Sequence, residues 1–197
     1  YLLLKSGIGK AEELRQYNIP VQFNSPHVGK NFQDHLGLDY LYKTHIPTLN
    51  DELGTWTGRI KTVLRYFYNR KGPLSLSLNQ GGGYINWKSL DPFPNIQLYF
   101  NPLTYSVSYK NKRPLLKTDK FSGFIIGFNS CRPKSLGEVK LRLENEEYYP
   151  SINPNYLSDE RDIHDLYSAF DFVRKFSSNK HIKNIIKAPI NIDPIKA

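Results

Sequence analysis

Leu2-Leu3-Leu4-Lys5-Ser6-Gly7-Ile8-Gly9, followed after a short polar interval by Val28-Gly29-Lys30-Asn31-Phe32-Gln33-Asp34-His35, decides how this 197-residue chain is read. The leucines running into a glycine-bracketed turn predict a strand that ends sharply at Ser6-Gly7, since glycine tolerates the positive φ of tight turns. Lys10 to Tyr17 predicts a two-turn helix, with Glu12 and Glu13 in the first turn, where the helix dipole favours negative charge. Pro20 stops that helix, and Ile19 and Val21 open an extended segment. The second stretch is another tight turn. It carries amide, carboxylate and imidazole groups at Asn31, Asp34 and His35.

Beyond that turn, Leu36, Leu38, Tyr40 and Tyr42 alternate with Gly37, Asp39 and Leu41, the period of a half-buried strand. A helix is predicted from about Asn50 or Asp51, either one a suitable N-cap. Leu53, Trp56, Ile60, Val63, Leu64 and Phe67 form one apolar stripe at helical spacing, and Asn69 to Gly72 ends it. Pro73 to Asn79 alternates again. Gly81-Gly82-Gly83 leads into a short strand from Tyr84 to Trp87, and another runs from Asn95 to Phe100. Phe121 to Asn129 is apolar on both faces, as in a central strand. Val139, Leu141 and Leu143 alternate with Glu138, Lys140 and Arg142. Ser158 is the expected cap of a last helix whose inner face holds Ile163, Leu166, Phe170 and Val173. The pattern predicts an α+β fold: an antiparallel sheet of five or six strands with helices packed on it.

Composition narrows the function. With 39% hydrophobic and 14% aromatic residues the chain is globular. No run approaches the length of a transmembrane segment. Cys131 is the single cysteine, which excludes an internal disulfide framework and fits a reducing, cytoplasmic compartment, compatible with peripheral membrane association. A net charge of +9 invites a nucleic-acid reading, but the basic residues are scattered among acidic ones. The one dense stretch (Lys110, Lys112, Arg113, Lys117 and Lys120) reads as a solvated loop, so no nucleic-acid partner is expected, nor a metal site.

Taken together, the two opening stretches resemble the glucose–methanol–choline family of FAD-dependent oxidoreductases. Further stretches carry the resemblance in order: Gly72-Pro73-Leu74-Ser75 through Asn79-Gln80-Gly81-Gly82-Gly83-Tyr84; Pro94-Asn95-Ile96-Gln97-Leu98-Tyr99-Phe100; Arg132-Pro133-Lys134-Ser135-Leu136-Gly137-Glu138-Val139; and Asn153-Pro154-Asn155-Tyr156-Leu157-Ser158-Asp159-Glu160-Arg161-Asp162. The resemblance implies a dinucleotide-binding domain joined to a substrate domain built on an antiparallel sheet. It implies hydride transfer from an alcohol carbon to the flavin N5, with a late histidine as base. Residues 1–35 then correspond to the edge of the FAD domain and 36–197 to the substrate domain.

The family's Gly-x-Gly-x-x-Gly fingerprint is absent, and no helix is expected after Gly81-Gly83 to supply a diphosphate site there. None of His27, His35, His45, His164 and His181 lies in a His-x-x-Gly-Thr context. No catalytic residue is therefore assigned, and the chain by itself is expected neither to hold FAD tightly nor to oxidise an alcohol. The remaining FAD-binding part of the same enzyme and a small alcohol are the implied partners. The resemblance puts Ser6, Gly7, Gly9, Asn31 and Asp34 on the cofactor side. The glycines read equally as an ordinary tight turn, and Asn31 and Asp34 as caps of loop amides. Gln80, Tyr99 and Asn101 fall on the implied substrate pocket, Tyr99 reading equally as strand packing. Family members that act on choline carry a glutamate at the position of Gln80, so a neutral amide there favours an uncharged alcohol. A non-catalytic α+β module binding a ligand or protein is the alternative reading.

Overall fold

The computed structural model describes residues 1–108 and 115–190. Its elements are α1 (Leu2–Lys5), β1 (Ile8–Gly9), α2 (Ala11–Gln16), β2 (Phe23–Asn24), β3 (Leu38–Thr44), α3 (Leu49–Leu53), α4 (Trp56–Asn69), β4 (Gly81–Ile85) and β5 (Ile96–Asn101). They continue with β6 (Tyr105–Ser108), β7 (Leu115–Thr118), β8 (Gly123–Ser130), β9 (Glu138–Glu144), β10 (Glu147–Asn153), α5 (Glu160–Ser178), α6 (Lys180–Lys183) and β11 (Ile186–Pro189). They fall into two compact units, each built from two separated stretches of chain.

The first unit joins Tyr1–Leu36 to Arg132–His164. The strand expected at Leu2 to Leu4 is instead the helical turn α1, closed by the Ser6 N–H on the Leu2 carbonyl at 2.9 Å. Leucine is a strong helix former, and only Leu4 has a partner surface to bury against. Leu4 meets Leu14, Ile19 and Leu141, with Tyr17, Val21, Val28 and Tyr148 around them. The alternating segment at 138–144 is a strand, but it pairs with β10 in its own hairpin and not with the larger sheet. That hairpin is fastened to the opening segment by the Val139 N–H on the Gly29 carbonyl (2.7 Å) and by the Phe32–Gly137 bridge.

Two of the quoted motifs grip each other in this unit. The buried Asp162 carboxylate accepts the Lys134 and Ser135 amides, each at 2.8 Å. Ser135 Oγ accepts the Asp159 N–H at 3.2 Å in return. Asp159, directly before α5, accepts the Arg161 N–H at 2.9 Å. It takes the capping role expected of Ser158, because its longer carboxylate also engages the Arg161 guanidinium. That ion pair holds the Asp159 carboxyl down at about 2.

The second unit joins Gly37–Cys131 to the chain from Asp165 onward. Its five-stranded antiparallel sheet has the order β11-β3-β8-β5-β4. One face carries Tyr40, Tyr42, Phe124, Ile126, Phe128 and Ile96 and is covered by Ala169, Phe170 and Val173 of α5. Phe170 meets Phe128 edge-on at 5.1 Å and Tyr40 at 5.8 Å between ring centroids. Each large side chain buried there is worth ~1.5–3 kcal/mol. Asp171 fixes α5 further, accepting from the Trp87 indole at 3.1 Å and pairing with Lys88 at 2.9 Å.

Several local expectations change here. The single helix from residue 50 is two helices. Thr48 caps α3 in a reciprocal box with Asp51, and Thr55 caps α4. Asn50 does not cap; its buried amide donates to the Thr104 carbonyl and accepts the Thr104 N–H, both at 2.8 Å. The stripe on α4 is not turned inward: Trp56, Ile60, Val63, Leu64 and Phe67 are exposed, and the buried residue of the helix is Thr62, whose hydroxyl donates to Glu52. The alternation at 73–79 gives a 3₁₀ turn at Pro73–Ser75, where proline fixes φ and Ser75 Oγ closes on the Gly72 carbonyl. The three glycines at 81–83 are themselves strand, paired with Leu98 to Phe100. Lys117 lies on β7, paired with β6, while Lys110, Lys112 and Arg113 lie outside the described residues. Among the described residues no helix is long and apolar enough to cross a membrane.

Candidate functional site

In an antiparallel sheet, residues directly opposite one another share a face. If Tyr40, Ile126 and Phe128 face the aromatic core, then Asp39 and Gly127, paired across β3 and β8, face the other way, and so does Tyr99, paired with Gly127 across β8 and β5. Gln97 with Asn129, and Asn101 with Ile125, share that second face. On β4, Gly82 opposes Tyr99 and Tyr84 opposes Gln97, and strand alternation puts Gln80 on the same side. The second face is therefore polar, facing away from the aromatic one.

Its centre is a three-residue arrangement. Tyr99 donates its phenol to Asp39 Oδ1 at 2.9 Å. Its ring lies directly over Gly127: a Cβ built there would fall 1.8 Å from Tyr99 Cε2 and 2.5 Å from Asp39 Oδ1. Gly127 has no positive φ, so it is glycine here because the ring occupies the space a side chain needs. Burial, then the Asp39 charge and hydrogen bond, hold the Tyr99 phenol far above its ordinary value; burial and the same carboxylate also raise Tyr105. Both phenols stay protonated across the physiological range, and the single proton of Tyr99 is committed to Asp39.

The other two pocket residues sit on either side. The Gln80 N–H bonds the Phe100 carbonyl at 3.0 Å, so β5 fixes its position. Asn101 is fully buried, and in the amide orientation that satisfies both of its ends it donates to the Leu78 carbonyl at 3.1 Å. It thereby ties the 78–79 loop to the end of β5. Tyr99 and Asn101 thus differ in kind: one presents a hydroxyl and a ring on the polar face, the other fastens the loop that leads to Gln80. A cavity of about 280 Å³ in the same unit, lined by Phe100, Phe124, Ile126, Phe176, Ile182 and Ile185, includes core-face residues and is almost wholly apolar.

The first unit places the remaining candidates. Gly7 has φ +79°, and the site a Cβ would take is filled by the Pro20 carbonyl oxygen at 2.2 Å. Its own carbonyl accepts the Gln22 and Phe23 amides at 2.8 and 3.1 Å. At Gly9 the corresponding space is taken by Leu4 Cδ2 at 2.7 Å. Ser6 ends α1 with its N–H on the Leu2 and Leu3 carbonyls. Asn31 has φ +56°. Asp34 accepts from the Tyr156 phenol and, at 3.0 Å, from the His35 N–H, and that bond raises the Tyr156 phenol.

Asp39, Gly127 and Asp162 were not singled out from sequence. A lone glycine in an otherwise apolar strand was the available signal at Gly127.

The second unit is thus a five-stranded antiparallel sheet backed by a long helix, with one polar face. No family model matches the chain. It is 31% identical over 174 residues to the oxygen-dependent choline dehydrogenase of Burkholderia mallei, covering 88% of this chain and 30% of that protein. It is 30% identical over 174 residues to the enzyme of the same name from Cronobacter sakazakii, with the same coverage. Among solved structures it superposes on formate oxidase with a TM-score of 0.82 at 22% identity, over 100% of this chain and 38% of that one. An FAD-dependent oxidoreductase from Chaetomium thermophilum gives 0.71 at 18%, over 98% and 38%. At those identities the structures establish the fold alone. The chain belongs to the glucose–methanol–choline family of oxidoreductases, and it spans 30% of the length of the curated relatives it matches.

Proposed function

We propose that this chain supplies the substrate-pocket wall of an FAD-dependent oxidoreductase acting on the CH–OH group of a small alcohol. The observation that carries the reading is the polar sheet face with Tyr99 held over Gly127 by Asp39. The Tyr99 phenol gives its single proton to Asp39, which leaves its oxygen to accept from the hydroxyl of an alcohol, and the ring beside it offers an apolar surface to the carbon skeleton. Gln80 adds a neutral donor and acceptor, while Asn101 sets the position of the loop that carries it. Without a carboxylate at position 80, that position gives a quaternary ammonium no counter-charge, so an uncharged alcohol fits it better than choline.

Residues 1–35 are assigned to the cofactor side, with Ser6, Gly7, Gly9, Asn31 and Asp34 among them. The space beside Gly7 and Gly9 is filled by the chain's own atoms, and Asp34 is an acceptor already engaged by Tyr156 and His35. These residues fit a backbone wall and do not fit a direct hold on the anionic diphosphate of FAD.

The test uses the intact protein, assayed with graded primary alcohols and choline against an artificial electron acceptor. Gln80→Glu is expected to raise kcat/KM for choline relative to benzyl alcohol by about tenfold, equivalent to ~1.4 kcal/mol of added attraction. Tyr99→Phe is expected to lower kcat/KM for both. If neither variant moves either constant, the sheet face is not the pocket wall, and a non-catalytic binding module becomes the better reading.

A further inference from the structure

The helix α4 is attached the wrong way round for a core helix. At helical spacing, Trp56, Ile60, Val63, Leu64 and Phe67 lie on one side, and Thr62 lies nearly opposite. Thr62 is 1% exposed and bonded to Glu52, whereas Trp56 is 76%, Leu64 63% and Phe67 70% exposed. The unit thus holds the helix by its polar edge and presents the apolar stripe outward. Tyr68, 92% exposed, extends the stripe at its C-terminal end. An open apolar groove runs along it, lined by Thr57, Ile60, Lys61, Leu64, Arg65 and Tyr68.

The charge around this stripe has one sign. From Leu53 to Leu90 the chain contains no aspartate or glutamate, and it contains Arg59, Lys61, Arg65, Arg70 and Lys71 besides Lys88, which is paired with Asp171. Arg59 borders one edge of the stripe, and Lys61 with Arg65 the other. An apolar arc with aromatic rings at its ends and cations along both margins matches the boundary between acyl chains and anionic headgroups. We propose that α4 seats this protein on an anionic lipid surface, lying in the interface with Trp56, Ile60, Leu64 and Phe67 directed into it. The basic margins favour that occupant over an uncharged apolar one.

The 197-residue chain is incubated with vesicles of phosphatidylcholine alone or with phosphatidylglycerol added, then sedimented. Binding to the anionic vesicles is expected, with a blue shift in fluorescence that Trp56→Phe removes. The double variant Arg59→Glu, Lys61→Glu is expected to lower the partition coefficient by about tenfold or more, from the loss of two headgroup contacts. Leu64→Glu, Phe67→Glu should lower it at least as far. All these positions are exposed, so an unchanged far-ultraviolet circular dichroism spectrum accompanies the loss. Equal binding to neutral vesicles or no binding to either would overturn the proposal. So would self-association in solution that Leu64→Glu, Phe67→Glu abolishes without any lipid binding, since a second copy would then be the occupant.

Discussion

Replacing Gly127 by alanine puts the polar face to a direct test. Glycine inside a strand is ordinarily worse than alanine by ~0.5–1 kcal/mol, because it has more conformational freedom to lose. With no positive φ at this position, Gly127→Ala would be expected to stabilise if the space were open. The structure predicts the opposite sign. The new methyl would stand 1.8 Å from one Tyr99 ring carbon and 2.1 Å from the next, so the ring has to swing off the sheet and release Asp39. A hydrogen bond to a carboxylate is worth ~1.5–3 kcal/mol and forced overpacking costs ~1–3 kcal/mol; the two overlap, giving a loss of about 2–4 kcal/mol. For a chain of this size that corresponds to a fall of about 5–15 °C in Tm. The assay is a double-mutant cycle followed by calorimetry and near-ultraviolet circular dichroism. In a Tyr99→Ala background the obstruction is gone, and Gly127→Ala should become neutral or stabilising. A melting temperature for Gly127→Ala at or above that of the parent would refute the arrangement on which the pocket reading depends.

Asp162→Ala should destabilise the first unit by about 1–3 kcal/mol, measured by urea unfolding, because it strands the buried Ser135 amide and leaves the half-buried Lys134 amide without its acceptor. Acid should weaken the fold through carboxyls held below their ordinary range, Asp51 and Glu138 among them and most of all Asp159, at about 2 by Arg161, and Asp171, lower still by Lys88 and then the Trp87 indole. Depressed folded values mean that this stability is complete above pH ~4 and is lost as pH falls toward ~2. The urea midpoint should drop across that window, and Asp171→Asn should make the drop shallower; an unchanged slope would remove Asp171 from the account.

The elements that sequence disclosed best are those where one physical signal acts alone. The alternation through Tyr40 and Tyr42, the two-sided apolar run at 121–129 and the helical face of Phe170 and Val173 all fall on the main core, because burial decides them. Expectation failed where a local signal was countered by a distant partner. Gly81 to Gly83 have little intrinsic preference for strand, yet β5 supplies the pairing that makes them one. Asn50 has the chemistry of a cap but is drawn inward by Thr104, fifty-four residues away, which leaves Thr48 to do the capping. The stripe on α4 is legible as a pattern but its outward direction is not, since periodicity reports which residues share a side and not what covers it. Tyr99 was visible as a candidate. Asp39, sixty residues earlier, was not, because only the register of β3, β8 and β5 brings the two side chains together.

The first unit is assembled from two pieces of chain separated by the whole of 37–131. During synthesis, Leu4 and Leu14 therefore wait with their apolar surface uncovered until Leu141 has left the ribosome. Closing so long an interval is entropically slow, and its cost grows only logarithmically with the number of residues enclosed. Insertions within the intervening stretch should thus be cheap for the clasp of Gly29 with Val139 and of Phe32 with Gly137, whereas a chain broken after residue 131 would leave an N-terminal stub without the cover that Leu141 and Tyr148 give it.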